Sequence, residues 1–476
     1  MAKGVYKWMA IDRIGTTAIT FTGNIVLARL LTQFDFGLLG MLAMFIGLAY
    51  NASSCGLSDG LINKAHPTER DYSTVFVFNA GMGIVLGSMF ILCSNIVANF
   101  FGYPELIGIM WAVGICFFFN TLVFTQETRM RKELSIKKMC IVRISASICA
   151  VGFGIWLAAN GYSYWGLVSC RVFLSFFLFV FYIVASRWFP KIAFYKDSFK
   201  ELFGYGINLM WAYMVTIISR YINSTVLGTH SSVESGIYSQ AQKMEEVPFG
   251  IIETTFNWPF FAVAANELDP VKRKQLCRDM LQWISLINVS AGMLLMLLSS
   301  PGFLFLFGEK WMNAVPIFRI LIIFGIASSL KAFFQTILKL HSRTTLIRNY
   351  SIVELVLQLG LLAIAYPYGI MAIAWSQIIA LSIILCVYLF KYHRLQEEKL
   401  RTVIVDMVSP LCIPFIAFLI SVAGYSYCNE AFNPFVSCVA LLILFCSATV
   451  ILWELFPHPV YLKYRARVLS HFNLKK

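Results

Sequence analysis

The sequence predicts an all-α, polytopic membrane protein, from its composition, the length of its apolar runs and the placement of its basic residues. Of 476 residues, 59% are hydrophobic and 13% are charged. Mean hydropathy is +0.74, and a soluble fold cannot bury so much apolar surface. The apolar residues are gathered into runs of about 20, which as helices cross roughly 30 Å of hydrocarbon.

These runs predict about fourteen transmembrane helices. They cover residues 14–33, 37–59, 73–99, 105–126, 141–160, 164–187, 205–228, 236–262, 281–307, 313–336, 349–366, 369–390, 404–425 and 434–456. The loops between them are too short for a folded soluble domain, so the sequence leaves little room for an extramembrane catalytic unit.

The net charge of +14 is explained by membrane topology, so we predict no nucleic-acid partner. Alternate loops carry the basic residues, as between Arg129 and Arg143, whereas the loops at 159–164 and 229–235 contain no Lys or Arg. Short loops rich in Lys and Arg mark the cytoplasmic side of a membrane protein. Both termini are therefore predicted to be cytoplasmic, which requires an even number of spans.

A short internal repeat suggests two related halves. The stretch 37–43, leading into the second span, resembles 236–242, leading into the eighth. Six spans separate the copies, so both halves would share one orientation around a pseudo-twofold axis along the membrane normal. In transporters with such repeats, the substrate path lies between the halves.

Polar residues inside the hydrocarbon mark the candidate substrate site, because each charge there is costly unless it faces protein or water. Two stripes recur at helical spacing: Arg13, Thr17, Thr20 and Asn24 on span one, and Asn208, Thr216, Arg220 and Asn223 on span seven. With Lys243 on span eight, they predict a hydrated, electropositive cavity for a phosphate group. Alternatively, Arg13 only extends to the membrane surface.

Carboxylates on spans eight and eleven are candidates for proton or sodium coupling. On span eight, Gln242, Glu246, Gly250, Glu253 and Asn257 form a stripe beside Pro248 and Pro259. We favour Glu253, then Glu354 on span eleven, because a buried Glu can exchange a proton for substrate. Alternatively, these carboxylates neutralise a neighbouring Lys or Arg. The six His show no metal-ligand spacing, and no nucleophile with a partnered base is recognisable, so we predict no metal, cofactor or enzymatic activity.

The residues around the first hairpin resemble those of a known family. The matching segments are 27–37, 55–59, 236–241 and 257–261. They are similar to the polysaccharide flippases of the Wzx and WzxC type, in the multidrug/oligosaccharidyl-lipid/polysaccharide exporter superfamily. Gln33 stands where the family pattern has Pro, which puts the local turn in doubt.

The resemblance implies two six-helix lobes, at 1–190 and 200–392, two further helices within 402–458, and a basic tail at 459–476. It implies that the chain flips an undecaprenyl-diphosphate-linked oligosaccharide across the bacterial inner membrane by alternating access, for polysaccharide or lipopolysaccharide biosynthesis. Membrane lipids and the polysaccharide polymerase or export machinery would be its further partners.

Two other transport functions remain open on the sequence. A drug/cation antiporter of the same superfamily would need acidic residues in the N-terminal cavity, and only Asp12 and Asp59 lie near it, both at predicted helix ends. A flippase for a peptidoglycan precursor would carry a substrate of nearly the same chemistry. A glycan polymerase or glycosyltransferase would need a sizeable loop or an acidic metal-binding cluster, and the sequence contains neither.

Overall fold

A computed structural model of the chain describes residues 2–64, 66–428 and 433–456. These ranges are almost entirely helical and contain no β-strand. The α-helices are α1 (Ala2–Leu30), α2 (Gln33–Ser54), α3 (Leu57–Asn63), α4 (Glu69–Leu92), α5 (Ser94–Phe101), α6 (Glu105–Lys132), α7 (Ile136–Ala159), α8 (Trp165–Ser186), α9 (Lys196–Leu227), α10 (Ser232–Asn266), α11 (Pro270–Phe307), α12 (Ala314–Leu340), α13 (Thr344–Ala365), α14 (Gly369–Leu395), α15 (Leu400–Val408), α16 (Cys412–Cys428) and α17 (Pro434–Leu455).

Each predicted span overlaps a helix or a broken pair of helices. The second span is divided into α2 and α3 by Cys55 and Gly56, both in the left-handed region with φ of 44° and 67°. Ten segments of the described chain are long and apolar enough to cross a membrane, with α13 and α14 joined into one of them. The all-helical membrane fold is therefore confirmed, and the count of fourteen spans stays a prediction.

Among the described residues, α1, α9 and α10 are not included in those ten apolar segments. All three carry polar and charged residues that the sequence assigns to the substrate site or to coupling, and the remaining candidate, Glu354, lies on α13. Polar side chains lower the apolar content of a helix, so such helices are better suited to a protein or aqueous environment than to lipid.

Two helices begin with the same capping arrangement. Thr32 precedes α2 and Thr68 precedes α4, and each exchanges hydrogen bonds with the Asp three residues later, Asp35 or Asp71. Such a capping box satisfies N–H groups that have no partner within the helix. Because α2 begins regularly at Gln33, the absence of Pro at that position leaves the turn intact.

The chain forms two compact units, Met1–Ser239 and Gln240–Lys476, and the boundary falls within α10. In the first unit, α7 packs against α1 and α8, α6 packs against α4 and α8, and α9 lies along α2. One of its core clusters joins Met41 of α2, Phe90 of α4 and Phe117 of α6, all buried.

In the second unit, α12 packs between α11 and α14, and α13 packs against α14. Phe333, Ile384 and Tyr388 are buried in one of its core clusters. Helices α16 and α17 pack against each other and against α11. By its contacts, α9 belongs with the first unit, whereas the sequence assigns it to the second lobe; the predicted lobe boundaries stay a prediction. The predicted basic tail lies outside the described residues.

Candidate functional site

The polar stripe on α1 is only partly sheltered. Arg13 is exposed and Asn24 is half-buried. The Thr20 hydroxyl donates to its own helix, from Oγ1 to the carbonyl oxygen of Thr16 at 2.8 Å. Arg13 is therefore the accessible cation of this stripe, available to a ligand or to the membrane surface.

Asp12, beside Arg13, belongs to an ion-pair network that the sequence did not reveal. Its carboxylate lies 3.0 Å from Arg143 of α7, and Arg143 lies 2.6 Å from Glu127 of α6. Glu127 also lies 2.6 Å from Arg131. The network ties α1, α6 and α7 together, and it engages the acidic residue that the antiporter alternative would use.

On α9, the structure separates two residues that the sequence placed in one stripe. Arg220 is half-buried. Asn223 has no exposed surface, and its Nδ2 donates a hydrogen bond of 2.9 Å to the Tyr238 hydroxyl. In this conformation Asn223 therefore joins α9 to the start of α10. The side chain of Asn208 lies outside the described residues.

The two copies of the repeat meet directly at the starts of α2 and α10. A methyl group added to Gly37 would come within 2.5 Å of the carbonyl carbon of Ser232, and one added to Gly236 would overlap the carbonyl oxygen of Gln33. We call this contact the glycine crossing. Ser232 Oγ also donates to the carbonyl oxygen of Phe34 at 2.9 Å. The sequence revealed the repeat, but it gave no signal that its copies touch.

The opposite end of the first unit carries the basic loops, and we call it the basic end. Lys64, just after α3, lies 3.1 Å from Asp71 of α4 and 2.8 Å from Glu201 of α9. The hydrogen bond to Glu201 is the largest contribution raising the pKa of Lys64. Lys132 Nζ donates to the carbonyl oxygens of Ile62 and Lys64 at 2.7 and 2.6 Å. Ion pairs and long side chains thus connect α3, α4, α6 and α9.

On α10, the coupling candidates differ in exposure. Glu253 and Lys243 are exposed, and Glu246 is half-buried. The buried carboxylate of this helix is Glu245, at 3% exposure, which sequence analysis missed. A methyl group added to Gly325 of α12 would lie 2.7 Å from Glu245 Oε1, so this carboxylate packs against a helix that has no side chain there.

The other coupling candidate, Glu354 of α13, forms an ion pair between helices with Lys331 of α12. Its Oε1 lies 2.7 Å from Lys331 Nζ, and the two side chains are 9% and 18% exposed. Nearby, Gln335 Nε2 donates to the Tyr388 hydroxyl at 3.2 Å. The pair is consistent with the neutralising role considered for Glu354, and it supplies the charged partner that a coupling role would also require.

The chain is similar in sequence to known polysaccharide biosynthesis proteins of bacteria. TuaB of Bacillus subtilis (strain 168), a teichuronic acid biosynthesis protein, is 24% identical over 67% of this chain and 67% of that protein. WzxC of Escherichia coli (strain K12), a lipopolysaccharide biosynthesis protein, is 25% identical over 68% of this chain and 66% of that protein. The alignments thus span about two thirds of these relatives.

Solved structures share the fold at low sequence identity. The lipid II flippase MurJ, in an inward closed conformation, covers 93% of this chain and 98% of its own length, with a TM-score of 0.69 and 14% identity. An inward-facing multidrug resistance transporter of the MATE family and MOP superfamily covers 84% of this chain and 98% of its own, with a TM-score of 0.63 and 14% identity. The fold is therefore that of these transporters.

The family assignment rests on the sequence itself. Residues 26–316, more than half of the chain, match the family described as polysaccharide biosynthesis protein. This match includes the first hairpin and both copies of the repeat, which carried the resemblance noted above. The chain therefore belongs to the polysaccharide biosynthesis protein family, and it shares the fold of the two transporter structures compared above.

Proposed function

We propose that the chain flips a lipid-linked oligosaccharide across the membrane by alternating access, for polysaccharide assembly. The family match over residues 26–316 is the observation that carries this proposal. The transporter fold agrees with this proposal. The fold alone would suit several cargoes, and the family match narrows the choice of cargo. The expected cargo is an undecaprenyl-diphosphate-linked repeat unit, whose diphosphate is anionic.

We place the protein in the bacterial inner membrane with its basic end toward the cytoplasm. The basic loops at this end support that orientation, since short loops rich in Lys and Arg stay on the cytoplasmic side. Transport would then run from the cytoplasmic to the periplasmic leaflet, with polysaccharide polymerase or export proteins acting on the product.

Arg220 and Arg13 are our candidates for contact with the diphosphate, because Arg binds phosphate oxygens through paired donors. Arg13 is exposed, whereas Arg220 is half-buried on a polar helix, with its Nε buried. Asn24, Asn208 and Lys243 are secondary candidates. The Asn223 side chain is fully buried in this conformation. Helices α9 and α10 would have to rearrange before it could contact a ligand.

For coupling to protons or sodium, we favour Glu354 over Glu253 and Glu246. Glu354 is buried beside Lys331, with Tyr350 of α13 and Tyr388 of α14 close by. A proton on Glu354 would break the ion pair and leave Lys331 as an unpaired cation. Such a change in buried charge is strong enough to bias a conformational equilibrium.

The first experiment depletes the protein in its own host and measures lipid-linked glycan on each leaflet. We expect build-up on the cytoplasmic leaflet and loss of surface polysaccharide, and mass analysis would separate a polysaccharide unit from a peptidoglycan precursor. Normal surface glycan with increased sensitivity to cationic drugs would instead favour the antiporter.

Complementation with variants then tests the site. Arg220→Ala should fail to restore surface polysaccharide while inserting normally, whereas Arg348→Ala, which removes an exposed arginine near the start of α13, should restore it. Restoration by a well-expressed Arg220→Ala variant would remove Arg220 from the site.

The coupling role is tested by neutralising the ion pair in two steps. Glu354→Gln should abolish transport, because it leaves Lys331 without its charged partner. The double variant Lys331→Met with Glu354→Gln removes both charges, which for a purely structural pair is often tolerated. If Glu354 carries the coupled proton, the double variant stays inactive; recovery of transport would assign the pair a structural role.

A further inference from the structure

The connector between α8 and α9 is an unusually apolar segment for a loop. Residues 187–195 leave Phe189 and Phe194 50% exposed and Ile192 82% exposed. The segment is nevertheless held in place, since the Phe189 ring lies 5.0 Å from that of Phe76 on α4. Exposed apolar side chains concentrated in one ordered segment indicate a surface that contacts something other than water.

Cations surround these apolar residues. Several exposed basic side chains here form no ion pair among the described residues. They are Lys138 on α7, Arg187 and Lys191 in the connector, and Lys196 and Lys200 at the start of α9. The acidic side chains beside them are Asp197, which is exposed, Glu69 and Glu133, which both pair with Arg129, and Glu201, which pairs with Lys64. The surface is therefore positively charged in excess.

A small cavity opens beside the connector. It has a volume of about 100 Å³, and polar groups of Glu133, Ser135, Lys138 and Ser186 help to line it. One wall is Arg129, whose guanidinium carbon lies 4.0 Å from the centroid of the Trp188 ring. A cavity of this size holds several water molecules, so a phosphate group with its hydrogen-bonded water would fit.

We propose that the connector and this cavity bind the headgroup of an anionic phospholipid in the leaflet at the basic end. The phosphate would lie near Lys138 and Arg187, while Phe189, Ile192 and Phe194 would enter the boundary between headgroups and acyl chains. Aromatic and apolar residues flanked by Lys and Arg are the side chains that bind this boundary and its negative potential. A soluble anion would gain no binding energy from the apolar residues of the connector.

This site would fix the entry to α9, the helix that carries Arg220. It is independent of the proposed cargo, because none of its residues belongs to the candidate diphosphate site. Failure of the flippase proposal would therefore leave it standing, and its own failure would leave the flippase proposal standing.

The test is native mass spectrometry of the purified full chain with phosphatidylglycerol, with phosphatidylcholine as the neutral lipid. The triple variant Lys138→Gln, Arg187→Gln and Lys191→Gln should bind phosphatidylglycerol at least about tenfold more weakly. The matched control, Lys339→Gln, Arg343→Gln and Arg348→Gln, removes three exposed charges elsewhere and should bind like the unmodified protein. Phosphatidylcholine should bind weakly to all three proteins.

A second variant tests the apolar half of the site. Ile192→Gln with Phe194→Gln keeps every charge and should also weaken phosphatidylglycerol binding, while glycerol 3-phosphate should not compete with the lipid. Unchanged lipid binding in the triple variant, an equal loss in its control, equal binding of phosphatidylcholine, or full competition by glycerol 3-phosphate would each overturn the proposal.

Discussion

At the two ends of the first compact unit, different interactions hold the helices together. At the glycine crossing, backbone atoms of Gly37 and Gly236 approach the facing backbone so closely that no side chain fits. At the basic end, Lys64 reaches Asp71 and Glu201 through a long side chain, and Glu201 remains 60% exposed.

The difference determines what each contact tolerates. Close packing of backbones is short-ranged and is lost or strained by a single added methyl group. An exposed ion pair contributes about 0–1 kcal/mol, is screened by salt, and its side chains adapt to small shifts. Under the alternating access proposed above, the glycine crossing would resist small movements of α2 against α10, and the basic end would accommodate them.

The largest loss of stability and transport should come from Gly236→Ala. The added methyl group overlaps the Gln33 carbonyl oxygen, so we expect a loss of roughly 1–3 kcal/mol of stability from overpacking, together with loss of transport. Gly250→Ala, on the same helix and with no atom within 4 Å of the added carbon, is the matched control and should be neutral or stabilising. Thermal unfolding in detergent measures both, and equal shifts would contradict a tight crossing.

An intermediate effect is expected at Gly40. A methyl group there would lie 2.7 Å from Ser235 Oγ, an atom of a side chain that can be removed. Gly40→Ala should therefore lower the unfolding temperature and impair transport less than Gly236→Ala. Adding Ser235→Gly should recover part of the loss, whereas truncating a side chain cannot relieve a clash with the backbone of Gln33. If adding Ser235→Gly recovers none of the loss, the strain in Gly40→Ala does not come from contact with Ser235 Oγ.

The smallest effect is expected at the basic end. Glu201→Gln removes one exposed partner of Lys64 and should lower stability by less than about 1 kcal/mol. The difference should fade as salt is raised, because the pair is screened. Glu309→Gln, which neutralises an exposed carboxylate without an ion pair among the described residues, should show no such salt dependence. A large, salt-insensitive loss for Glu201→Gln would mean that the two ends are equally rigid.

The coupling candidates show where sequence reasoning reached its limit. Periodicity placed Glu253 and Glu246 on one face of α10 correctly, but it could not tell which face is buried. In the structure Glu253 is exposed, and the buried glutamates among the described residues are Glu245 and Glu354. Burial of one residue in a helix depends on which neighbour packs there, here the side-chain-free surface at Gly325.

The same limit applies to charge partners. Arg143 pairs with Asp12, 131 positions away in the chain, and Lys331 pairs with Glu354 on the next helix. Helical spacing predicts neighbours three or four residues apart, so the sequence contains no signal for the first pair. Glu354 was expected to be functional or neutralised, and the structure supplied its partner.

By itself, the sequence determined that this is an all-helical membrane protein, and that polar residues are concentrated on α1, α9 and α10; the parallel orientation of its repeat stays a prediction. These properties follow from local composition and periodicity, because the bilayer demands long apolar helices whatever their packing. Only the tertiary structure decided that the repeats meet through glycines and which charges pair, because contacts between distant helices depend on how whole surfaces fit together.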